Sequence, residues 1–148
     1  MSTKLRIRIK KLVDPELDLK LNYGTLIRLS ILIQFKTKSG WGKPYEAILD
    51  TGAHTSVIPE YIWKGIDVEE KADHRVQGII PKKECSLPVT VGIVKGRLFD
   101  EELNCTKEIR FYAYCAFDDG VPLILGFKDL LDKFPVYFDI KSDEAYLG

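Results

Sequence analysis

The chain has 148 residues, of which 45% are hydrophobic and 30% charged, a balance typical of a folded domain and not of a disordered chain. Its 22 basic and 22 acidic residues cancel, which argues against a nucleic-acid-binding or membrane-surface protein. No apolar run reaches the ~18 residues of a membrane span, and the residues up to Lys11 contain no apolar run of signal-peptide length. The three cysteines cannot all pair within one chain and show no Cys-x-x-Cys spacing, which favours free thiols. We therefore expect one cytoplasmic domain over residues 1–148 that binds neither nucleic acid nor membrane.

The dominant period of the sequence is two, which is the signature of half-buried β-strands. In chain order the predicted strands cover residues 4–10, 25–37, 45–49, 55–58, 74–80, 87–93, 109–115, 136–140 and 145–147. Asp14-Pro15 interrupts the pattern, and Ser39-Gly40 predicts a hairpin turn whose return strand ends directly before Asp50. One helical turn is predicted over 59–63 and a charged loop over 67–73.

A short helix is predicted near the C-terminus. Phe127, Leu130, Leu131 and Phe134 have the spacing i, i+3, i+4, i+7 of one helix face, and Pro135 ends the helix. Many short strands with one short helix predict an all-β barrel or sandwich.

Asp50 is the first candidate for chemistry. It directly follows the aliphatic pair Ile48-Leu49, where a charge is costly unless it is used or well hydrogen-bonded. Gly52 permits a tight turn and leaves a backbone N–H free to approach the carboxylate. The pattern predicts a carboxylate held at the floor of a cleft, although Asp-Thr-Gly alone also fits a plain turn between strands.

The residues around Asp50 resemble a known signature. The segment 48–58, Ile-Leu-Asp-Thr-Gly-Ala-His-Thr-Ser-Val-Ile, is similar to the active-site motif of retropepsin-like aspartic peptidases. The segment 123–126, Leu-Ile-Leu-Gly, with the helix after it, resembles the second conserved segment of that family. The resemblance covers roughly residues 45–140, with residues 1–40 as added N-terminal strands. It implies a closed retropepsin-like barrel with one short C-terminal helix.

The resemblance also implies an aspartic endopeptidase with Asp50 as its catalytic residue, supported by Thr51, Gly52, Ala53 and Gly126. Such enzymes need two neighbouring carboxylates, one protonated and one ionised. The chain has one Asp-Thr-Gly, so a two-fold homodimer that sets Asp50 against its copy is the economical arrangement. It would cut extended polypeptide across the dimer, without a metal or an organic cofactor.

The predicted flap departs from the family pattern. Gly78, Ile79 and Ile80 are the candidates for flap and substrate contacts, but only one glycine is present, and Pro81 and two lysines follow. The departure keeps an alternative open, namely a weakly active or inactive retropepsin-fold module for dimerisation or peptide binding. A third alternative is a monomeric β-barrel with an unrelated ligand.

The other candidate residues have plainer interpretations. His54 and His74 are expected at the surface, Asp118-Asp119 in a solvated turn, and Cys115 in the core as a small hydrophobe. The basic stripe over residues 4–10 is interpreted as the solvated face of an edge strand. Two histidines and three cysteines without ligand spacing argue against a zinc site.

Overall fold

The structure, a computed structural model, describes residues 4–22, 24–76 and 86–148. Its strands are β1 (Leu5–Arg6), β2 (Arg8–Val13), β3 (Thr25–Thr37), β4 (Gly40–Leu49), β5 (Ser56–Ile58), β6 (Glu69–Val76), β7 (Leu87–Phe99), β8 (Ile109–Ala116), β9 (Ile124–Leu125), β10 (Val136–Asp139) and β11 (Glu144–Leu147). Its helices are α1 (Pro15–Leu21), α2 (Glu60–Trp63) and a 3₁₀ turn (Leu131–Lys133).

Six of the strands form a closed barrel. The main sheet has the order β2-β3-β4-β9-β5-β8-β7-β6, and β3 also pairs with β7. The ring therefore runs through β3, β4, β9, β5, β8 and β7 and back to β3. The long strand β3 makes this possible because its first half pairs with β2 and its second half reaches β7. The expected all-β closed barrel is confirmed.

Apolar side chains at alternate strand positions fill the barrel, as the period of two requires. Phe35 from β3 and Phe111 from β8 are fully buried, and their ring centroids lie 6.4 Å apart. The largest fully buried side chains come from both ends of the chain and from the barrel strands: Phe35, Phe111, Leu5, Ile7, Ile33, Ile58, Ile62, Leu98, Leu125, Leu130, Leu131 and Leu147.

The predicted first strand is present, but it divides at Ile7 between two sheets. Strand β1 pairs with β11 in a small sheet of order β1-β11-β10, whereas β2 pairs with β3 in the main sheet. The N–H of Ile7 donates to the Ala145 carbonyl at 2.9 Å, which joins the two sheets. Leu5 and Ile7 are buried while Lys4, Arg6 and Arg8 are exposed, as the basic stripe predicted.

One prediction of local structure was wrong, and one helix was not predicted. Most of the predicted charged loop at 67–73 belongs to β6, an edge strand that pairs with β7 and is almost fully exposed; its side chains show no alternation because neither face is buried. Helix α1 was not predicted, although Asp14 caps it and Pro15 occupies its first turn, both ordinary signals of a helix start.

The helical turn predicted over 59–63 is confirmed as α2, and the C-terminal helix is present only as a 3₁₀ turn. Residues 127–130 form turns, and Asp129 has a left-handed φ of 60°, which an α-helix does not accommodate. In the described part of the chain, no helix is both long enough and apolar enough to cross a bilayer.

Candidate active site

Asp50 lies immediately after the end of β4, where the barrel interior meets the surface. Ala47 and Leu49 are buried, and Asp50 itself is half-buried. Its N–H donates to the Leu125 carbonyl at 3.0 Å, and its carbonyl accepts from the Ala53 N–H at 3.1 Å. The backbone on both sides of the carboxylate is therefore fixed by hydrogen bonds.

The carboxylate of Asp50 is oriented by the turn that follows it. The N–H of Gly52 donates to Oδ1 of Asp50 at 2.8 Å. A Cβ at position 52 would lie 3.2 Å from the same oxygen, so a side chain there would press on the carboxylate. Glycine leaves the carboxylate free of this pressure. Thr51 and Gly52 are both exposed.

Gly126 is in close contact with the loop after Asp50. Strands β9 and β4 are parallel neighbours, with Leu125 opposite Leu49. A Cβ on Gly126 would lie 2.7 Å from the Ala53 carbonyl oxygen and 2.8 Å from the carbonyl carbon of Thr55. The two segments singled out from the sequence, whose glycines Gly52 and Gly126 are 74 residues apart, therefore contact each other. At position 126 the space between them accommodates only glycine.

Backbone and hydroxyl groups hold these two segments together. The Phe127 N–H donates to the Ala53 carbonyl at 3.0 Å, and the Lys128 N–H donates to the His54 carbonyl at 2.8 Å. The N–H of Gly126 donates to the fully buried Ser56 Oγ at 3.0 Å. Sequence reasoning gave Ser56 no role, although a hydroxyl in a buried strand was a signal, since a buried polar group requires a partner.

A cluster of aromatic rings lies beside the loop. The ring centroid of Tyr114 is 5.9 Å from that of His54 and 5.7 Å from that of His74. Nδ1 of His54 is 2.7 Å from Oγ1 of Thr55. Both histidines are exposed, as predicted, but the sequence did not indicate that Tyr114 connects them.

The predicted flap residues Gly78, Ile79 and Ile80 lie outside the described residues. The strands that flank this segment, β6 and β7, are paired up to Val76 and Leu87.

The carboxylates of Asp118 and Asp119 hold a surface turn. Oδ1 of Asp118 accepts from the Gly120 N–H at 2.6 Å, and Oδ1 of Asp119 accepts from the Tyr61 N–H at 2.7 Å. Both residues are exposed. The predicted solvated turn is confirmed.

A buried carboxylate away from Asp50, that of Asp100, has a structural role. Its Oδ1 accepts from the N–H groups of Glu102 at 3.0 Å and Asn104 at 2.9 Å. Its Oδ2 accepts from the Arg6 N–H at 3.1 Å and from Nδ2 of Asn104 at 2.9 Å. Burial raises the pKa of Asp100, but these hydrogen bonds outweigh burial and hold the pKa below its ordinary value of 3.8. The charge ties strand β1 to the loop after β7.

The two described cysteines show no features of a catalytic or metal-binding site. Burial, and then the charge of Glu70, raises the pKa of Cys115 to about 12, so this thiol stays protonated and packs as predicted. Cys105 is exposed. Among the described residues, no group of three or more histidine, cysteine or acidic side chains could hold a metal ion.

Comparison with known proteins finds one family. The model of the family "Retroviral aspartyl protease" matches residues 15–96, more than half of the chain, including Asp50. The match begins before the resemblance seen in the sequence and ends before Gly126. A search of curated proteins found no match.

Two solved structures are similar to this one. A protease of EIAV, solved in complex with the inhibitor HBY-793, has 19% identity and a TM-score of 0.47; the similarity covers 72% of this chain and 86% of that one. A retropepsin-like aspartic protease from Rickettsia conorii has 13% identity and a TM-score of 0.48, with 99% of this chain and 96% of that one covered.

Proposed function

Since the chain belongs to the retroviral aspartyl protease family and is an aspartic-type peptidase, we propose that it hydrolyses peptide bonds as a homodimer. The active site of the dimer pairs Asp50 of one subunit with Asp50 of the partner subunit. The substrate is a polypeptide in extended conformation that lies across the two subunits.

The requirement for a pair follows from the chemistry of amide hydrolysis. Two carboxylates a few ångströms apart cannot both ionise, so one accepts a proton from the attacking water while the other, protonated, donates to the scissile carbonyl. The sequence contains one Asp-Thr-Gly. A two-fold axis beside Asp50 supplies the second carboxylate without a second motif.

The observation that carries the proposal is the rigid setting of Asp50. Its backbone N–H and C=O are both hydrogen-bonded, and its Oδ1 accepts from the Gly52 N–H at 2.8 Å. A general base has to be held close to one geometry to act on a bound water. The exposure of Thr51 and Gly52 supports a position on the subunit surface, where a second copy can approach.

The remaining site residues have supporting roles in this proposal. Gly52 fixes the carboxylate, while Ala53 and Gly126 hold the two loop segments together. Thr51 hydrogen-bonds across the two-fold axis. The flap residues proposed from the sequence, Gly78, Ile79 and Ile80, cover the substrate.

Asp50→Asn tests the assignment because it removes the charge at nearly constant size. In the homodimer this substitution replaces both carboxylates of the pair. Because the loss of one acid–base group already costs about 10²- to 10⁴-fold in rate, we expect kcat on an unfolded protein substrate to fall by roughly 10³-fold or more. Asp118→Asn is the matched control because it makes the same change in a surface turn, and it should retain full activity.

A pepstatin-type transition-state analogue adds a second readout. It should inhibit the wild-type protein and bind Asp50→Asn more weakly, because it needs both carboxyl groups. Activity that survives in Asp50→Asn would overturn the assignment. Peptide binding without cleavage by the wild-type protein would favour the binding-module alternative.

A further inference from the structure

An apolar surface lies at one end of the molecule with nothing covering it among the described residues. It consists of helix α1 and the adjoining end of the β2–β3 hairpin, the four strand pairs from Lys10–Arg28 to Val13–Thr25. We call this region the overhang. Leu19 is 89% exposed, Leu21 65%, Val13 56% and Ile27 50%. Isolated exposed leucines are common, but several large aliphatic side chains exposed in one small region favour an interaction surface. Val13 and Ile27 share one face of the hairpin, whereas Leu19 and Leu21, two positions apart, lie on different sides of α1.

The helix in the overhang is well defined, yet none of its residues is fully buried. Oδ1 of Asp14 accepts from the N–H groups of Glu16 at 3.0 Å and Leu17 at 3.2 Å. Asn22 closes the other end in the left-handed conformation. No residue of α1 is buried, and a helix of 7 residues is not stable in water by itself. A helix that is capped at both ends and exposes its leucines is expected to pack against a partner surface.

The strands of the overhang continue the core-facing row of the barrel beyond its end. Ile9 and Leu29 are opposite each other and pack partly against the core. On the same face the next pairs are Lys11–Ile27 and Val13–Thr25. Ile27 and Val13 therefore lie on the core-facing side of the hairpin, and a hydrophobic partner that covers them would extend the core.

The position of the overhang relates it to Asp50. Leu29 of β3 is opposite Leu49, the last residue of β4. Asp50 follows Leu49 and therefore lies next to Arg28, in the first strand pair of the overhang. From there the β2–β3 pair projects about 13 Å past the end of β4, at ~3.3 Å for each residue. Along this length β3 has no described strand on its β4 side.

The overhang carries charges of both signs. Asp14, Glu16 and Asp18 lie on or next to α1, where Glu16 pairs with Lys20. Lys10, Lys11 and Arg28 lie on the strands, where Lys10 pairs with Glu46 of β4. Among the described residues, the charges outside these two pairs are therefore mainly acidic on the helix and basic on the strands. Two copies related by a two-fold axis can set the acidic helix of each against the basic strands of the other.

We propose that a second copy of this chain covers the overhang and that this contact forms part of the homodimer interface. The inference rests on the proposed function, because the same second copy completes the pair of Asp50 carboxylates. The loop at Asp50 exposes Thr51, Gly52 and His54, none of which has an aliphatic side chain. A stable interface needs roughly 800 Å² from each partner, and the overhang supplies apolar area at the correct end of the barrel.

The test measures the dimer dissociation constant by sedimentation over a concentration series. Leu19→Glu/Leu21→Glu charges the helix without loss of helix propensity, and Ile27→Glu charges the strand independently. We expect each variant to raise the dissociation constant at least tenfold, with an unchanged circular dichroism spectrum. Leu103→Glu is the matched control: it alters a leucine that is 79% exposed outside the overhang and should leave the constant unchanged.

The outcomes separate this inference from the proposed function. Unchanged dissociation constants in both overhang variants, with peptidase activity retained, would overturn the assignment of the overhang alone. A wild-type protein that stays monomeric at all concentrations would overturn both. Variants that dissociate from a wild-type dimer that cleaves no peptide would support the interface and contradict the proposed function.

Discussion

Gly126 is the residue at which the contact between the two site segments is tightest. In Gly126→Ala the added methyl group would lie 2.7 Å from the Ala53 carbonyl oxygen, and the atoms it meets are backbone, which yields less easily than a side chain. Overpacking of this kind costs about 1–3 kcal/mol. We expect a drop of that size in the free energy of unfolding, measured by denaturant titration, together with a loss of activity.

Gly65→Ala is the control for that substitution. A Cβ at Gly65 has its nearest neighbour, the Ile62 carbonyl oxygen, at 3.7 Å, an ordinary contact. The variant should stay within about 0.5 kcal/mol of the wild-type protein. Equal stability of the two alanine variants would show that the segments at Gly126 separate at no cost.

Asp100 predicts a pH dependence of stability. Because its pKa is lowered in the folded state, the carboxylate stabilises the fold above the ordinary value of 3.8, and this contribution is lost as the pH falls through the folded-state pKa. Asp100→Asn should cost about 1–3 kcal/mol at pH 7. The difference from the wild-type protein should narrow below pH ~4. A difference that stays constant from pH 7 to pH 3 would contradict this account.

At the scale of elements, α2 shows how a helix too short to be stable alone is fixed by its neighbours. The Nε1–H of the buried Trp63 donates to the Ala116 carbonyl at 2.7 Å. Its ring packs edge-to-face against that of Phe117, with ring centroids 5.3 Å apart. Trp63→Phe leaves that carbonyl without its donor and opens a cavity. We expect a loss of roughly 2–4 kcal/mol in the free energy of unfolding.

Tyr61→Phe, on the same helix but 60% exposed, is the control for Trp63. It should change the free energy of unfolding by less than about 0.5 kcal/mol. If chemical denaturation found the two variants equally stable, α2 would not be anchored through Trp63.

The secondary-structure elements differ in how well the sequence predicts them. β3 was predicted with its exact bounds because one strong aliphatic run fills it. Residues 69–73 of β6 were predicted as a loop because their side chains are exposed on both faces and carry no alternation, whereas residues 74–76 fall within the predicted strand 74–80. The C-terminal segment has the apolar spacing of a helix, yet Leu130 and Leu131 reach the core from turns and a 3₁₀ turn.

At the scale of the molecule, the pairing of β3 with β7 closes the barrel. On the outside of this seam the guanidinium of Arg97 lies 4.3 Å from the ring centroid of Trp41, and its Nε donates to Oε1 of Gln34 at 2.9 Å. Outside this ring lie β2, the edge strand β6 and the small sheet β1-β11-β10.

The sequence by itself determined the local features of this protein. The alternation of apolar residues predicted most strands, and Asp50 and Gly52 were singled out because a charge after a buried strand, followed by glycine, needs a specific setting. Such features depend on neighbours within a few positions, which a single chain records directly.

Only the tertiary structure decided which strands close the ring, how Gly126 contacts Ala53, where its N–H finds the Ser56 hydroxyl, and how the overhang projects beside Asp50. Each depends on backbone groups far apart in the chain, such as Gly126 and Ser56, 70 positions apart. Every residue carries the same N–H and C=O groups, so side-chain patterns do not specify which distant partner they meet.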